Sequence, residues 1–233
     1  MTATAIAEGH LESFTRRATK SHAMTGMKLY GTTFSNNVRR AYAVARHLGI
    51  EVELIEVRPR TPAANTTGFR RLSPNGRVPA FSDGDFRTCE SHAIMVYLSE
   101  STPNKVWPAG RRARAEVVHW MSWALAHWRL GWQPLQFERF VKPRLLGGQT
   151  DKRIVEEALP VFHAEARLLN DHLVNRTWLV EEGLTLADFS VAAGLCHAEP
   201  AQLPLEAYPE IRRWYASINA LPAWQNSAPK FPT

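Results

Sequence analysis

The chain reads as an α/β layer followed by an all-α bundle, and three observations predict this. Over residues 27–102 the apolar positions switch between strand and helix period in the order β-α-β, loop, β-β-α. Over residues 108–233 only helical periods recur. Between the two stands Thr102-Pro103-Asn104, a turn-forming run that closes one pattern before the other opens. A chain of 233 residues has room for two such units and their cores.

The elements follow in order. Residues 1–26 are rich in Ala, Thr, Ser and charge, without a sustained period or the apolar centre of a secretory signal, which predicts a disordered extension outside the fold. Met27-Lys28-Leu29-Tyr30 is a short strand, and Gly31-Thr32-Thr33-Phe34 a turn. Ser35-Asn36-Asn37 opens a helix whose Val38, Ala41, Val44, Ala45 and Leu48 share a face, with Gly49 ending it. Glu51 to Val57 alternates polar and apolar, as a half-buried strand does. Arg58 to Gly68 is a Pro/Thr/Asn loop, with a weak helical turn around Phe69 to Leu72. A strand at Val78-Pro79-Ala80-Phe81 follows, then a turn at Asp83-Gly84, a short strand at Phe86-Arg87 and a helix from Glu90 to about Ser101. In the second half, helices are expected from Arg111 to Phe140, kinked or broken at Gly131 and Pro134, and from Asp151 to Val174, bent at Pro160. Two more begin near Thr185 and Tyr208. Thr185-Leu186-Ala187-Asp188-Phe189 carries a capping-box pattern, with Leu184 and Phe189 spaced as a hydrophobic staple.

Composition excludes several functions. The 45% apolar and 21% charged content is that of a globular protein, and no apolar run approaches the roughly 18–20 residues of a membrane span. The net charge of +6 comes from scattered basic residues interleaved with acids, which does not predict nucleic-acid binding. Cys89 and Cys196 have neither metal-site nor redox-motif spacing, so the expectation is a reducing, cytoplasmic setting and no metal.

Two segments carry chemistry. Proline has no N–H for a sheet ladder, so the Val78-Pro79 strand leaves backbone groups free to pair with a bound peptide. The helix start at Glu90-Ser91 offers free N–H groups and a favourable dipole to a carboxylate. One grips a peptide backbone and the other its carboxylate, which suits a small acidic peptide. Ser35 is either a plain N-cap or a hydroxyl presented at the mouth of the first helix.

Four motifs, in this order and spacing, resemble the cytosolic glutathione transferases from Met27 to about Gln225. They are Lys28-Leu29-Tyr30-Gly31 with Ser35 and Arg39-Arg40, then Asn75-Gly76-Arg77-Val78-Pro79-Ala80, then Glu90-Ser91-His92-Ala93-Ile94, and finally Leu184-Thr185-Leu186-Ala187-Asp188. Ser35 is similar to the active serine of the phi and theta classes, phi being nearest. The resemblance implies a thioredoxin-like N-terminal domain over 27–102, an all-α domain over 108–233, and a homodimer. It implies glutathione as co-substrate, conjugated to a small hydrophobic electrophile or used to reduce a peroxide. Ser35 would then activate the thiol, with Tyr30, Thr32 and Thr33 as nearby alternatives. Val78 would pair with the cysteinyl backbone, before a cis Pro79. Ser91 would take the γ-glutamyl carboxylate and Glu90 the ammonium.

The glycine carboxylate has no obvious partner, because Ala64-Asn65 replaces the family's His-Lys pair. Arg77, Arg70 and Arg71 are the candidates. Trp120, Trp123 and His127 lie at helical spacing, and with Phe34 they either line an apolar pocket or pack the core. Two other readings remain: a non-enzymatic ligand-binding protein of the same fold, and a thiol-disulfide reductase. The reductase is disfavoured because Ser35 stands where that chemistry needs cysteine.

Overall fold

The computed structural model describes residues 26–58 and 61–229. Apart from Gly26, the extension expected over 1–26 lies outside them. The first half is built on four strands: β1 (Lys28–Tyr30), β2 (Glu53–Ile55), β3 (Ala80–Asp83) and β4 (Phe86–Cys89), in spatial order β2-β1-β3-β4. β1 and β2 are parallel because α1 (Asn36–His47) crosses between them, whereas β3 and β4 form an antiparallel hairpin on β1. α2 (Thr67–Leu72) and α3 (Ser91–Glu100) complete this half. Leu29 and Phe81 are paired and are 1% and 0% exposed. Phe81 meets Tyr97 of α3, so their face of the sheet is the core face. Lys28, Tyr30, Ser82 and Arg87 alternate to the other side.

The expected order of elements holds, with local corrections. The strand predicted over 51–57 shrinks to three residues. The strand predicted around Pro79 starts only at Ala80, since proline cannot donate to the ladder. The hairpin turn is Gly84-Asp85, one residue later than expected, with Gly84 at φ +58°. α2 is a full helix rather than a weak turn, because Thr66 Oγ1 caps it by accepting from the Phe69 N–H at 3.2 Å.

The second half is helical. α4 (Arg111–Trp123), α5 (Arg129–Gln136) and α6 (Lys142–Leu145) form one winding run, joined by widened π turns at Ala124–Trp128 and Phe137–Val141. Gly131 and Pro134 do not break it; both sit inside α5. α7 (Lys152–His172) runs through Pro160 without interruption, its start capped by Asp151. α8 (Leu186–Ala192), α9 (Pro209–Asn219) and the short α10 (Pro222–Gln225), which was not among the expected elements, follow. No helix among the described residues is long and apolar enough to cross a membrane.

The capping box at α8 forms and is buried. Asp188 Oδ1 accepts from the Leu179 N–H at 3.0 Å and Trp214 Nε1 at 2.9 Å. Oδ2 accepts from the Thr185 N–H at 2.9 Å and its hydroxyl at 3.2 Å. Burial pushes the carboxyl up to about 6, and these four donors pull the other way, which keeps it ionised at neutral pH. Asp188 thus ties α8, the 179 segment and α9 together.

Asp188→Ala leaves these buried donors unpaired, at about 1–3 kcal/mol each. The expected loss of stability exceeds ~3 kcal/mol in denaturant unfolding, and a loss below ~1 kcal/mol would show that the donors find other partners. Gly131 marks the α5–α7 crossing: a Cβ there would lie 2.6 Å from Phe162 Cα and 2.8 Å from its N. Alanine gains about 1 kcal/mol of helix propensity over glycine, but backbone cannot swing aside as a side chain can, and overpacking costs about 1–3 kcal/mol. Gly131→Ala should therefore lower the unfolding midpoint; a raised midpoint would mean the helices part freely.

Candidate active site

Strand register gathers the predicted segments. Tyr30 pairs with Ala80, and Ala80 with Cys89. The chain leaving β1 toward Ser35, the chain entering β3 from Val78-Pro79, and the chain leaving β4 into Glu90-Ser91 therefore meet at one end of the sheet. Gly31 lets them close up. It has φ +152°, and a Cβ there would fall 2.4 Å from Val38 Cγ2 and 3.2 Å from Val78 Cβ. Only a bare backbone allows the start of α1 to approach Val78 in this way.

Ser35 is the half-buried N-cap of α1, but its hydroxyl makes no cap bond. Its backbone is held instead: the N–H donates to Thr32 O and the carbonyl accepts from the Arg39 N–H, both at 2.9 Å. The hydroxyl is thus uncommitted to any described residue, next to the free N–H groups of the first helical turn. Of the alternatives, Tyr30 points away, its hydroxyl 3.4 Å from Ser82 Oγ on the opposite face of the sheet, and Thr32 Oγ1 is taken by the Phe34 N–H at 3.4 Å. Cys196 is no rival nucleophile, because burial pushes its thiol up to about 11.

Val78 is buried, the Val78–Pro79 bond is cis, and the Val78 backbone N–H and C=O have no hydrogen bond to a described residue. Glu90 is exposed and holds φ +70°, ψ 116° as the N-cap of α3. A left-handed backbone at a residue other than glycine stores about 1–3 kcal/mol. Ser91 is 5% exposed, and its hydroxyl has no partner among the described residues. Arg77 is exposed beside Val78. Arg70 is occupied, donating to Pro74 O at 2.8 Å and Asn65 Oδ1 at 2.9 Å, while Arg71 stands on the other side of the sheet with Lys28 and Ser82.

The α3 start is locked from behind. His92 Nε2 is 2.7 Å from Arg40 Nη1 of α1 and 2.7 Å from Ser190 Oγ of α8. Burial, with the Arg40 charge adding to it, pushes His92 down to about 3, so the ring is neutral and accepts from both. One histidine therefore joins two helices of the first half to one of the second.

The bundle closes the other side. Asn36 Nδ2 donates to Gln136 Oε1 at 3.1 Å, and His197 Nε2 donates to the Phe34 carbonyl at 2.9 Å. Phe34 meets the His197 ring at 4.7 Å and Phe140 at 6.0 Å. The structure does not bring Phe34 to Trp120, Trp123 or His127. Trp120 packs on His172 at 4.4 Å, Trp123 donates to Glu165 Oε2 at 2.9 Å, and both are buried along α7, while His127 is exposed. From Trp123 to Phe140 the helical run climbs about 25 Å. The wall residues missed from the sequence are Gln136, Phe140 and His197; the Phe137/Phe140 pair at i, i+3 beyond the Trp stripe was the available signal. Among the described residues no group of His, Cys, Asp or Glu could hold a metal ion.

A small mixed sheet with a helix mouth, a peptide-pairing segment and a second helix start at one end, covered by a bundle, defines a thioredoxin-like domain joined to a helical domain. Comparisons agree. Residues 29–106 match the family model of the glutathione S-transferase N-terminal domain, and residues 125–222 that of the C-terminal domain. Glutathione S-transferase 3 of Zea mays is 33% identical over 90% of this chain and 96% of its own. The probable glutathione S-transferase GSTF2 of Oryza sativa subsp. japonica is 29% identical over 88% and 97%. The structure of maize glutathione S-transferase I in complex with an atrazine glutathione conjugate superposes with a TM-score of 0.79 at 26% identity, covering 87% of this chain and 96% of that one. The chain belongs to the glutathione S-transferase family.

Proposed function

We propose that the protein binds glutathione at the end of the sheet and transfers its sulfur to a small hydrophobic electrophile. The observation that carries this is the uncommitted Ser35 hydroxyl at the mouth of α1, at the same sheet end as the open Val78 backbone and the Ser91 helix start. In this reading Val78 pairs with the cysteinyl backbone and Ser91 with the α3 N–H groups receives the γ-glutamyl carboxylate. Glu90 accepts from the ammonium, and Arg77 stands at the rim for the glycine carboxylate. The electrophile lies toward Phe34, Phe140 and His197. The protein acts as a homodimer in the cytoplasm, in detoxification.

The chemistry needs a thiolate. A free thiol titrates near 8.5, and bringing that value down to about 7.5 takes about 1.4 kcal/mol of preference for the anion. A hydrogen bond from the Ser35 hydroxyl to the anionic sulfur, plus a helix dipole worth about 0.3–1 kcal/mol, supplies a preference of that size. The thiolate attacks the electrophilic carbon, and either the leaving group departs with its electron pair or a double bond takes up the pair and then a proton.

Ser35→Ala should preserve the fold and glutathione affinity, cut conjugation 10-fold or more, and move the ultraviolet thiolate titration of bound glutathione to higher pH by about 1. An unmoved titration would remove Ser35 from the role. Ser91→Ala should raise KM for glutathione with kcat little changed, as loss of uniform binding does; a fall in kcat alone would place Ser91 elsewhere in the reaction.

A further inference from the structure

The far end of the sheet, away from Ser35, carries a second polar hollow. Register aligns Lys28 with Ser82 across β1 and β3, and Ser82 with Arg87 across β3 and β4. The three side chains therefore stand in one row on the face opposite the core. α2 overhangs this face and contributes Arg71, and the Tyr30 hydroxyl lies 3.4 Å from Ser82 Oγ. Together they line a hollow of about 610 Å³, the size of a small-molecule site, with no acidic residue in its wall. A Cβ on its rim glycines Gly26, Gly68 or Gly84 would meet nothing within 4 Å, so the rim is uncrowded among the described residues.

Glu53 stands across from Lys28 at one end of this row, while Arg87 at the other end faces the neutral Ser82. Lys28 pairs with Glu53 at 3.4 Å, both well exposed, where such pairs are weak. Among the described residues Arg87 reaches only the Asp85 carbonyl, at 3.3 Å. Arg71 makes no hydrogen bond or ion pair with a described residue. Asp83, beside Ser82 in sequence, is turned to the core side, where it accepts from the Tyr97 hydroxyl at 2.9 Å. Lys28 and Arg87 stand two strands apart, about 10 Å at the backbone, with a hydroxyl between them and Arg71 above. That spacing suits two adjacent phosphoryl groups better than a single small anion.

We propose that this hollow binds a soluble diphosphate group, free or carried by a nucleoside, through Lys28, Arg71 and Arg87, with the Ser82 and Tyr30 hydroxyls as further donors. The site is independent of the glutathione reading, since it occupies the opposite face and end of the sheet. The test is calorimetric titration of the full chain with inorganic pyrophosphate, and separately with a nucleoside diphosphate, at constant ionic strength. Saturable single-site binding is expected, at least 10-fold tighter than for sulfate. Arg71→Ala and Arg87→Ala, both at exposed positions, should each weaken it 10-fold or more while leaving glutathione conjugation unchanged. A nucleoside diphosphate that binds as well as pyrophosphate supports the site with a carried ligand, and pyrophosphate alone supports it with a free one. No saturable binding, equal affinity for sulfate, indifference to both substitutions, or competition with glutathione would overturn the proposal.

Discussion

Arg40 brings a full positive charge into the seam between the two halves, where no carboxylate among the described residues pairs with it. Burial lowers its guanidinium to about 10, which still leaves it charged at neutral pH. A charge so placed must have its donors met by neutral acceptors held in fixed positions. His92 and Ser190 meet Nη1, the low pKa of His92 keeping its Nε2 lone pair available, while the buried Nε has no hydrogen-bond partner among the described residues. Beside it, buried Arg39 lies 4.1 Å over the Trp224 ring and donates to the Trp224 carbonyl at 3.3 Å. These two adjacent guanidiniums on α1 fasten α3, α8 and α10 to one helix. The mouth of that same helix is the Ser35 turn, so the seam and the site share one rigid body.

The site divides its tasks accordingly. In the proposed reading peptide recognition falls to sheet-end segments, whose mutual placement is set by strand register and by the missing side chain of Gly31. The apolar wall comes from the bundle, from a π turn and from the turn after α8. A π turn offsets the helix face by a fraction of a turn, and here it presents Phe140 to Phe34. Changes in the bundle can therefore reshape the electrophile side while the sheet end keeps its geometry.

Much of this was legible in the sequence, for identifiable reasons. The order of elements followed from period and turn chemistry, and the Thr185–Asp188 box was readable because caps are local. Ser35, Val78 and Ser91 were legible as separate motifs; their convergence was not, since register is a long-range property. Trp120 and Trp123 were legible as either pocket wall or core, and their size favours the core, where both reside along α7. Gln136 and His197 were invisible because each acts through contacts to the other half, which no local pattern encodes. Pro134 looked like a kink or break and Pro160 like a bend, yet both lie within continuous helices held in place by their neighbours.

Glu90 has the φ of a glycine and the charge of an acid. Folding alone would prefer the bare residue there, because the left-handed region penalises a Cβ that glycine lacks. A programme that evolved this chain for heat tolerance with no ligand present would meet pressure to shed the carboxylate at 90. On the proposed reading, the most thermally robust descendants would then be the ones least able to hold an ammonium, which makes position 90 a marker of whether selection acted on durability or on recognition.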